Sequence, residues 1–246
     1  MLPDVSQFSN AVQSALRLSS HLKGKAWSVR REAWTALNAE FLYEQYSDEN
    51  ERNRVMRYHL AKRWPTATKQ ERMHFARWIV RDWGGIKRNS PDTIKRHLAL
   101  AEQTEPLTPF SGVASYSKIL SIKDPTAYAI FDARVAYSLN AIQLAQSAKE
   151  ANPAGFLVFP CPPGQNREIS GEGKKPGYMD ILGRPALLSR GFIFIDKKDA
   201  YEVYLKLLRL VCEKSQQSML DVEMELFGKV FHFCEMARTA LSDCHV

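Results

Sequence analysis

Cysteine is scarce in this sequence: the four residues, at 161, 212, 234 and 244, include no Cys-x-x-Cys pair and no closely spaced run. That spacing excludes a compact metal motif and an iron–sulfur cluster, and a chain of 246 residues does not need disulfide staples. Cys212 and Cys234 fall on apolar helical faces, where a reduced, buried thiol is expected. No stretch approaches the ~18 consecutive apolar residues of a membrane span. The longest uncharged helical run, Val135 to Ala148, is interrupted by Ser138, Asn140, Gln143 and Gln146. Met1-Leu2-Pro3-Asp4 leads into no Lys- or Arg-headed apolar segment, so no secretory signal is read there and a cytoplasmic protein is expected. No group of carboxylates has the spacing of a magnesium site, which weighs against a nuclease. No internal repeat, metal site or cofactor motif stands out.

What is present is ordinary in amount and uneven in distribution. With 45% apolar, 25% charged and 11% aromatic residues, the chain is globular, long enough for one large domain or two small lobes. Between Arg52 and Arg88 stand eleven basic residues and two acids, Glu71 and Asp82, a net +9 in 37 residues against +7 for the whole chain. From Asp199 onward eight acids outnumber five bases. The basic stretch also carries Tyr58, Trp64, Phe75, Trp78 and Trp83. Cations mixed with aromatics suit a polyanion whose phosphates need charge and whose bases need stacking surfaces, so nucleic acid is the first partner to consider. The same aromatics also fit the apolar stripe of amphipathic helices, and most of them are assigned to the core, most of the charge to phosphate attraction.

Apolar positions recur at three and four over about Phe8 to Leu22, Val29 to Tyr46, Asn53 to Trp64, Lys69 to Trp83 and Pro91 to Glu102, predicting an all-helical first part. Thr66-Ala67-Thr68 and Ser90-Pro91-Asp92 read as helix starts, and Gly84-Gly85 as a stop. Two shorter helices follow, Val113 to Lys123 and Ala133 to Gln146. Asn152 to Asp180 gathers five of the twelve prolines and five of the twelve glycines into a long loop. It is flanked by two short β-like runs, Phe156 to Phe159 and Phe192 to Ile195, that can pair and tie its ends. Helices over about Lys198 to Glu213 and Met219 to Met236 complete a core. The expected organisation is a single two-lobed domain over 1–246, made of a basic helical part (1–105), two site-bearing helices (106–150), a loop and β insertion (151–196) and C-terminal helices (197–246).

The chemistry concentrates between Phe110 and Asn140. Gly112 can make the tight turn that opens a helix, and Lys118 follows one turn in, with small Ala114 and Ser115 at i−4 and i−3. Fourteen residues later Asp132 precedes the next helix, where free amides and the helix dipole favour a carboxylate. A lysine and an aspartate at the mouths of successive helices can face one cleft. Each also has a plain reading: Lys118 as one solvated helical lysine among many, Asp132 as a cap.

Gly112-Val113 leading into the helix of Lys118, then Ala129-Ile130-Phe131 leading to Asp132 and Arg134-Val135, resembles the active-site core of the helix-hairpin-helix DNA glycosylase superfamily. The bacterial 8-oxoguanine-glycosylase-like branch is the nearest in pattern. The resemblance covers about 30 residues closely, with departures: the hairpin's second glycine is Ala114 here, Phe110-Ser111 replaces its Leu-Pro, two extra residues precede Lys118, and the interval from Lys118 to Asp132 is short.

The resemblance implies a mainly α, two-lobed fold with a small β-like insertion, acting on double-stranded DNA as a monomer without metal or cofactor. It implies that Asp132 stabilises the cation that forms on the sugar and that Lys118 attacks C1′ or, in a monofunctional enzyme, only positions. Gly112 is expected to grip phosphate. Tyr116, Tyr128 and Phe131 are the nearest residues for stacking a flipped base, and Arg134, Lys87 and Arg88 for holding DNA. The expected substrate is 8-oxoguanine or a modified phage cytosine such as glucosyl-hydroxymethylcytosine, the latter in antiviral defence. The alternative expectation is a non-catalytic helical protein that binds DNA or RNA.

Overall fold

The computed structural model describes residues 3–103, 111–148, 156–162 and 177–243. Phe110, Cys244 and the polar centre of the long loop lie outside these residues. The described chain is mainly helical and divides into two compact units. A middle unit holds Ala26–Ile130 with Ser218–Leu220; a terminal unit holds Met1–Lys25, Phe131–Gln217 and Asp221–Val246. The division crosses the stretches read from the sequence, since the basic helices share the middle unit with Lys118, and the first helix joins the C-terminal ones.

In the middle unit, the helix predicted over Val29 to Tyr46 is two: α1 of the chain (Ser6–Leu18) belongs to the other unit, and here α2 spans Arg31–Ala36 and α3 spans Glu40–Gln45. The break is at Asn38, in the left-handed region at φ 52°, which asparagine tolerates better than most residues. The buried guanidinium of Arg52, on α4 (Glu49–Arg63), completes this arrangement. It donates to the carbonyls of Leu42, Tyr43 and Tyr46 at the end of α3 and lies 4.3 Å from the Tyr43 ring centroid. α5 (Lys69–Arg77) starts where the sequence suggests, and Thr68 and Glu71 form a reciprocal capping box there. The helix predicted to run on to Trp83 changes register at Arg77, and Trp78–Trp83 form a π-helix. Trp78 and Trp34 pack with ring centroids 5.5 Å apart, and Trp83 donates its indole N–H to Asn53 at 2.9 Å. Fixed indoles thus hold the turn in a geometry that local propensity disfavours. Then come α6 (Pro91–Ala101), capped by Ser90, and α7 (Val113–Lys123).

α7 is the central helix of this unit. It packs against α4, α5, α6 and the π-helix, and its residues from Ser115 to Ile122 are all buried.

The terminal unit repeats that plan around α8 (Ala133–Ser147), of which Val135 to Ala145 are buried without interruption. α8 packs against α1 and α13 (Val230–Asp243), while α1 also lies along α11 (Ala200–Ser215). A helix buried on every side must satisfy its polar side chains from outside, and α8 does so. Ser138 donates to the Leu226 carbonyl at 2.6 Å. Asn140 accepts from Phe159 N–H at 2.9 Å and donates to Phe159 C=O at 3.0 Å. Gln143 accepts from Leu157 N–H at 2.7 Å and donates to the Leu157 carbonyl. The two amides stand three apart on the helix and meet residues two apart, Leu157 on a strand and Phe159 just after it, so they act as a neighbouring strand would.

That strand, β1 (Leu157–Val158), pairs on its other side in parallel with β2 (Ile193–Phe194), in register Leu157 with Ile193. The two β-like runs therefore pair as expected, over fewer residues. Between them lie α9 (Met179–Leu182) and α10 (Arg184–Leu188). The helix expected over Met219 to Met236 is broken into α12 (Met219–Gly228) and α13. The Gly228 carbonyl accepts from Lys25 N–H at 2.9 Å, and a Cβ on Gly228 would lie 3.2 Å from Gly24 Cα, so the two backbones cross where neither carries a side chain.

Replacing Gln143 with Leu keeps the volume and removes both bonds to Leu157. We expect a loss of about 2–4 kcal/mol in urea unfolding, because a buried N–H and C=O are left unpaired. A loss below about 0.5 kcal/mol would show that the amide contact is dispensable.

Candidate functional site

In the middle unit the site is built on the first turns of α7. Gly112 precedes it at φ 82°, a conformation that favours glycine, and a Cβ there would meet the His97 ring at 2.8 Å. The turn is therefore specified twice, by backbone conformation and by the close approach of α6. One turn on, Lys118 is only 5% exposed. Lysine is almost never so buried unless its ammonium is partnered. Here Nζ donates to the Ala114 carbonyl at 3.1 Å, and the Cδ–Cε stem runs against Gly84, just past the π-helix. The small residue expected beside the lysine, Ala114, supplies its hydrogen-bond acceptor as well as room.

The connector from Gly84 to Asn89 is pinned at both ends of this region. Gly84 meets the Lys118 stem, and Asn89 donates to Ser115 Oγ at 2.7 Å. Exposed Lys87 and Arg88 lie between the pins. The sequence-predicted DNA contacts Lys87, Arg88 and Gly112 are thus gathered with Lys118 in one unit.

Much of the remaining basic stretch is structural. Arg52 and Arg57 are buried, Arg72 donates to the Trp64 and Pro65 carbonyls and pairs with Glu102 at 3.3 Å, and Arg63 stands 3.5 Å from Glu71. Assigning most of that charge to phosphate therefore overstates it. Lys62, Lys69, Arg77, Lys87 and Arg88 are the exposed cations of the stretch.

Of the three aromatics proposed to stack a base, only Tyr128 has accessible surface. Tyr116 and Phe131 are 0% exposed. Phe131 sits in the terminal unit among Tyr204, Phe159 and Tyr201, with centroids 5.0, 6.1 and 6.5 Å away. Both are core residues in this conformation. The Tyr116 hydroxyl is buried without a hydrogen-bond partner, and burial, then Tyr128, raises its pKa.

Asp132 belongs to the terminal unit and caps α8, its carboxylate accepting from Val135 N–H at 3.2 Å. The sequence expectation of a cap holds. Arg134, in the first turn, places its guanidinium 4.7 Å from the Phe227 ring and 5.9 Å from Phe231. The three cysteines among the described residues are unbridged, and burial pushes the Cys234 thiol up to about 12, so it is unreactive. No group of His, Cys, Asp and Glu that could hold a metal occurs among the described residues, and no described helix is long and apolar enough to cross a membrane. A cavity of about 370 Å³ in the middle unit, lined by Leu37, Arg63, Gln70, His74 and Phe75 among others, involves none of the candidate catalytic, base-binding or DNA-binding residues.

No family profile, curated protein or solved structure matches the chain.

Sequence reasoning missed Gly84, His97 and Asn89 as neighbours of this region. Only Gly84 left a signal, as half of a Gly-Gly pair read as a helix stop.

Two predictions follow from the buried polar groups. His97 is buried with Nδ1 unpartnered, and burial, then Arg96, holds its pKa below the ordinary imidazole value. The unfolded chain takes up this proton first, so stability is full above about pH 6.5 and falls as pH drops toward the depressed folded value. Urea midpoints of wild type and His97→Gln between about pH 7 and 5 should show a shallower slope in the variant; equal slopes would remove His97 from the account. For Tyr116→Phe the expectation is the reverse of the usual core mutation. Deleting a buried, unpartnered hydroxyl should leave stability unchanged or raise it by up to about 1 kcal/mol, whereas a loss of about 1 kcal/mol or more would reveal a hidden partner.

Proposed function

We propose that the protein is a DNA glycosylase that flips out a damaged or modified base and cuts its N-glycosidic bond, leaving an abasic site. The observation that supports this most directly is Lys118, withdrawn from solvent on the central helix of its unit yet flanked by the exposed cations of the 84–89 connector. Folding alone gives no reason to bury a lysine there, since an apolar residue of similar size would fill the same space without a desolvated amine.

Cutting the bond builds positive charge on the sugar, and a fixed carboxylate at C1′ lowers that barrier because the charge exists only in the transition state. Asp132 has the fixed partner such a carboxylate needs, in the amide of Val135. With lysine as nucleophile, Nζ forms a bond to C1′ as the C1′–N bond breaks, the base leaves with the bonding pair and is protonated, and the amine gives up its own proton. Attack requires the unprotonated amine. In the monofunctional version water attacks C1′ and Lys118 positions the substrate. Lys87, Arg88 and the turn at Gly112 contact phosphate, and Tyr128 has the exposed surface for stacking. The helix-hairpin-helix fold, with α6 and α7 as its two helices, is part of the same proposal, as are the substrate classes 8-oxoguanine and modified phage cytosine.

The test is to incubate the protein with duplexes carrying 8-oxoguanine and, separately, with unmodified and cytosine-modified phage DNA, and to assay abasic sites with and without borohydride. Asp132→Asn is an informative variant because Asn caps a helix about as well as Asp, so the fold is kept. Base release should fall at least about 10²-fold in it. Borohydride trapping lost in Lys118→Ala identifies the nucleophile. Absence of abasic sites on every substrate, with salt-sensitive DNA binding retained, would replace this reading with a non-catalytic nucleic-acid-binding protein.

A further inference from the structure

Gly84 and Gly85 are adjacent but are glycine for different reasons. Gly85 has φ 67°, where a side chain is strained. Gly84 has φ −79° and ψ −6°, an ordinary right-handed conformation open to any residue, so its backbone does not require glycine. Its surroundings do. A Cβ built on Gly84 would lie 2.8 Å from Cε and 2.9 Å from Cδ of Lys118, and 2.7 Å from the Ile79 carbonyl oxygen.

The π-helix is what brings Gly84 there. Gly84 N–H donates to Ile79 O at 3.0 Å, a bond spanning five residues, and Ile86 N–H reaches Val80 O at 3.0 Å. The wide turn is clamped from outside: Trp83 donates to Asn53, Asn53 donates to the Trp27 carbonyl at 3.0 Å, and Trp27 donates to the Trp83 carbonyl. An α-helical continuation would carry residue 84 round the axis by one residue's rotation, away from the lysine stem. Single π-turns inside helices concentrate at functional sites.

We propose that Gly84 is a positioning residue for Lys118: the π-turn sets a residue without a side chain against Cδ and Cε, and the slot so formed fixes where the amine ends. This deepens the glycosylase reading, in which an amine about 1 Å out of place would react roughly 10²-fold more slowly, but its packing content stands apart from that reading.

The experiment uses Gly84→Ala, Lys118→Ala and the double variant in the full chain. Protein labelled with ¹³C at lysine Cε is observed by NMR, and the Lys118 resonance is the one missing from Lys118→Arg. In Gly84→Ala that resonance and its titration midpoint should move while the other lysines stay put. The fall in Tm caused by Gly84→Ala should be smaller when Lys118 is already Ala, since the stem that the new methyl would strike is gone. Borohydride trapping, where the wild type shows it, should fall roughly 10²-fold in Gly84→Ala.

An unmoved Lys118 resonance, or an equal fall in Tm with and without the lysine stem, overturns the inference and leaves the Ile79 carbonyl as the whole reason for glycine. Should Gly84→Ala fail to fold, folding of the double variant supports the inference and its failure overturns it. A moved resonance with coupled Tm values but no base release by the wild type on any substrate would leave Gly84 in place and remove the glycosylase reading.

Discussion

The terminal unit depends on one constraint: α8 is surrounded by protein, so each polar group it carries must be answered by backbone from elsewhere in the chain. Ser138, Asn140 and Gln143 meet that demand by binding Leu226, Phe159 and Leu157. In doing so they fix where α12 ends and where β1 runs. The hydrogen bonds are worth little net against water, but each is costly to leave unmade. That asymmetry turns three side chains into positional constraints. A wholly apolar α8 would bury as much surface and would accept β1 in more than one register. Asp132 inherits this precision, because it caps a helix that cannot shift.

The middle unit is organised by the same plan with a different occupant. α7 is likewise buried throughout, but the polar group at its heart is an amine. The carbonyl one turn back accepts from it. Its neighbours are unusual as well: a π-helix, a glycine with unexceptional dihedrals, a histidine and a tyrosine with unanswered polar atoms. Departures from local rules gathered at one place are the expected mark of a site whose geometry serves something other than stability.

Much of the helical frame was legible because its signals are local. The caps at Thr68, Ser90 and Asp132 needed only the hydrogen-bonding reach of a short side chain, and the pairing of Phe156 to Phe159 with Phe192 to Ile195 only a run of apolar residues. The break at Gly228 was not legible, since its partner lies far along the chain, Lys25 taking the carbonyl of Gly228, and the break at Asn38 is a single left-handed residue inside an otherwise continuous apolar pattern. Of the site, Asp132 could be read as a cap from spacing alone. The burial of Lys118 could not, because a lysine on a helix looks solvated until its tertiary neighbours are known. The basic stretch misled in the opposite direction: charge summed over a window does not distinguish an arginine facing water from one, like Arg52, that closes the end of a helix.

The discontinuity of the terminal unit has a consequence for how the protein is made. Phe8, Val12 and Leu16 of α1 are covered by packing against α8 and α11, and Lys214 holds Ser9 and Asn10 across more than two hundred residues. During synthesis α1 is made before α8 and α11, with Ala26–Ile130 of the middle unit in between. Throughout that interval its apolar stripe has no native place to go. A chain that stops before α11 therefore leaves an amphipathic helix uncovered for chaperones and proteases to find.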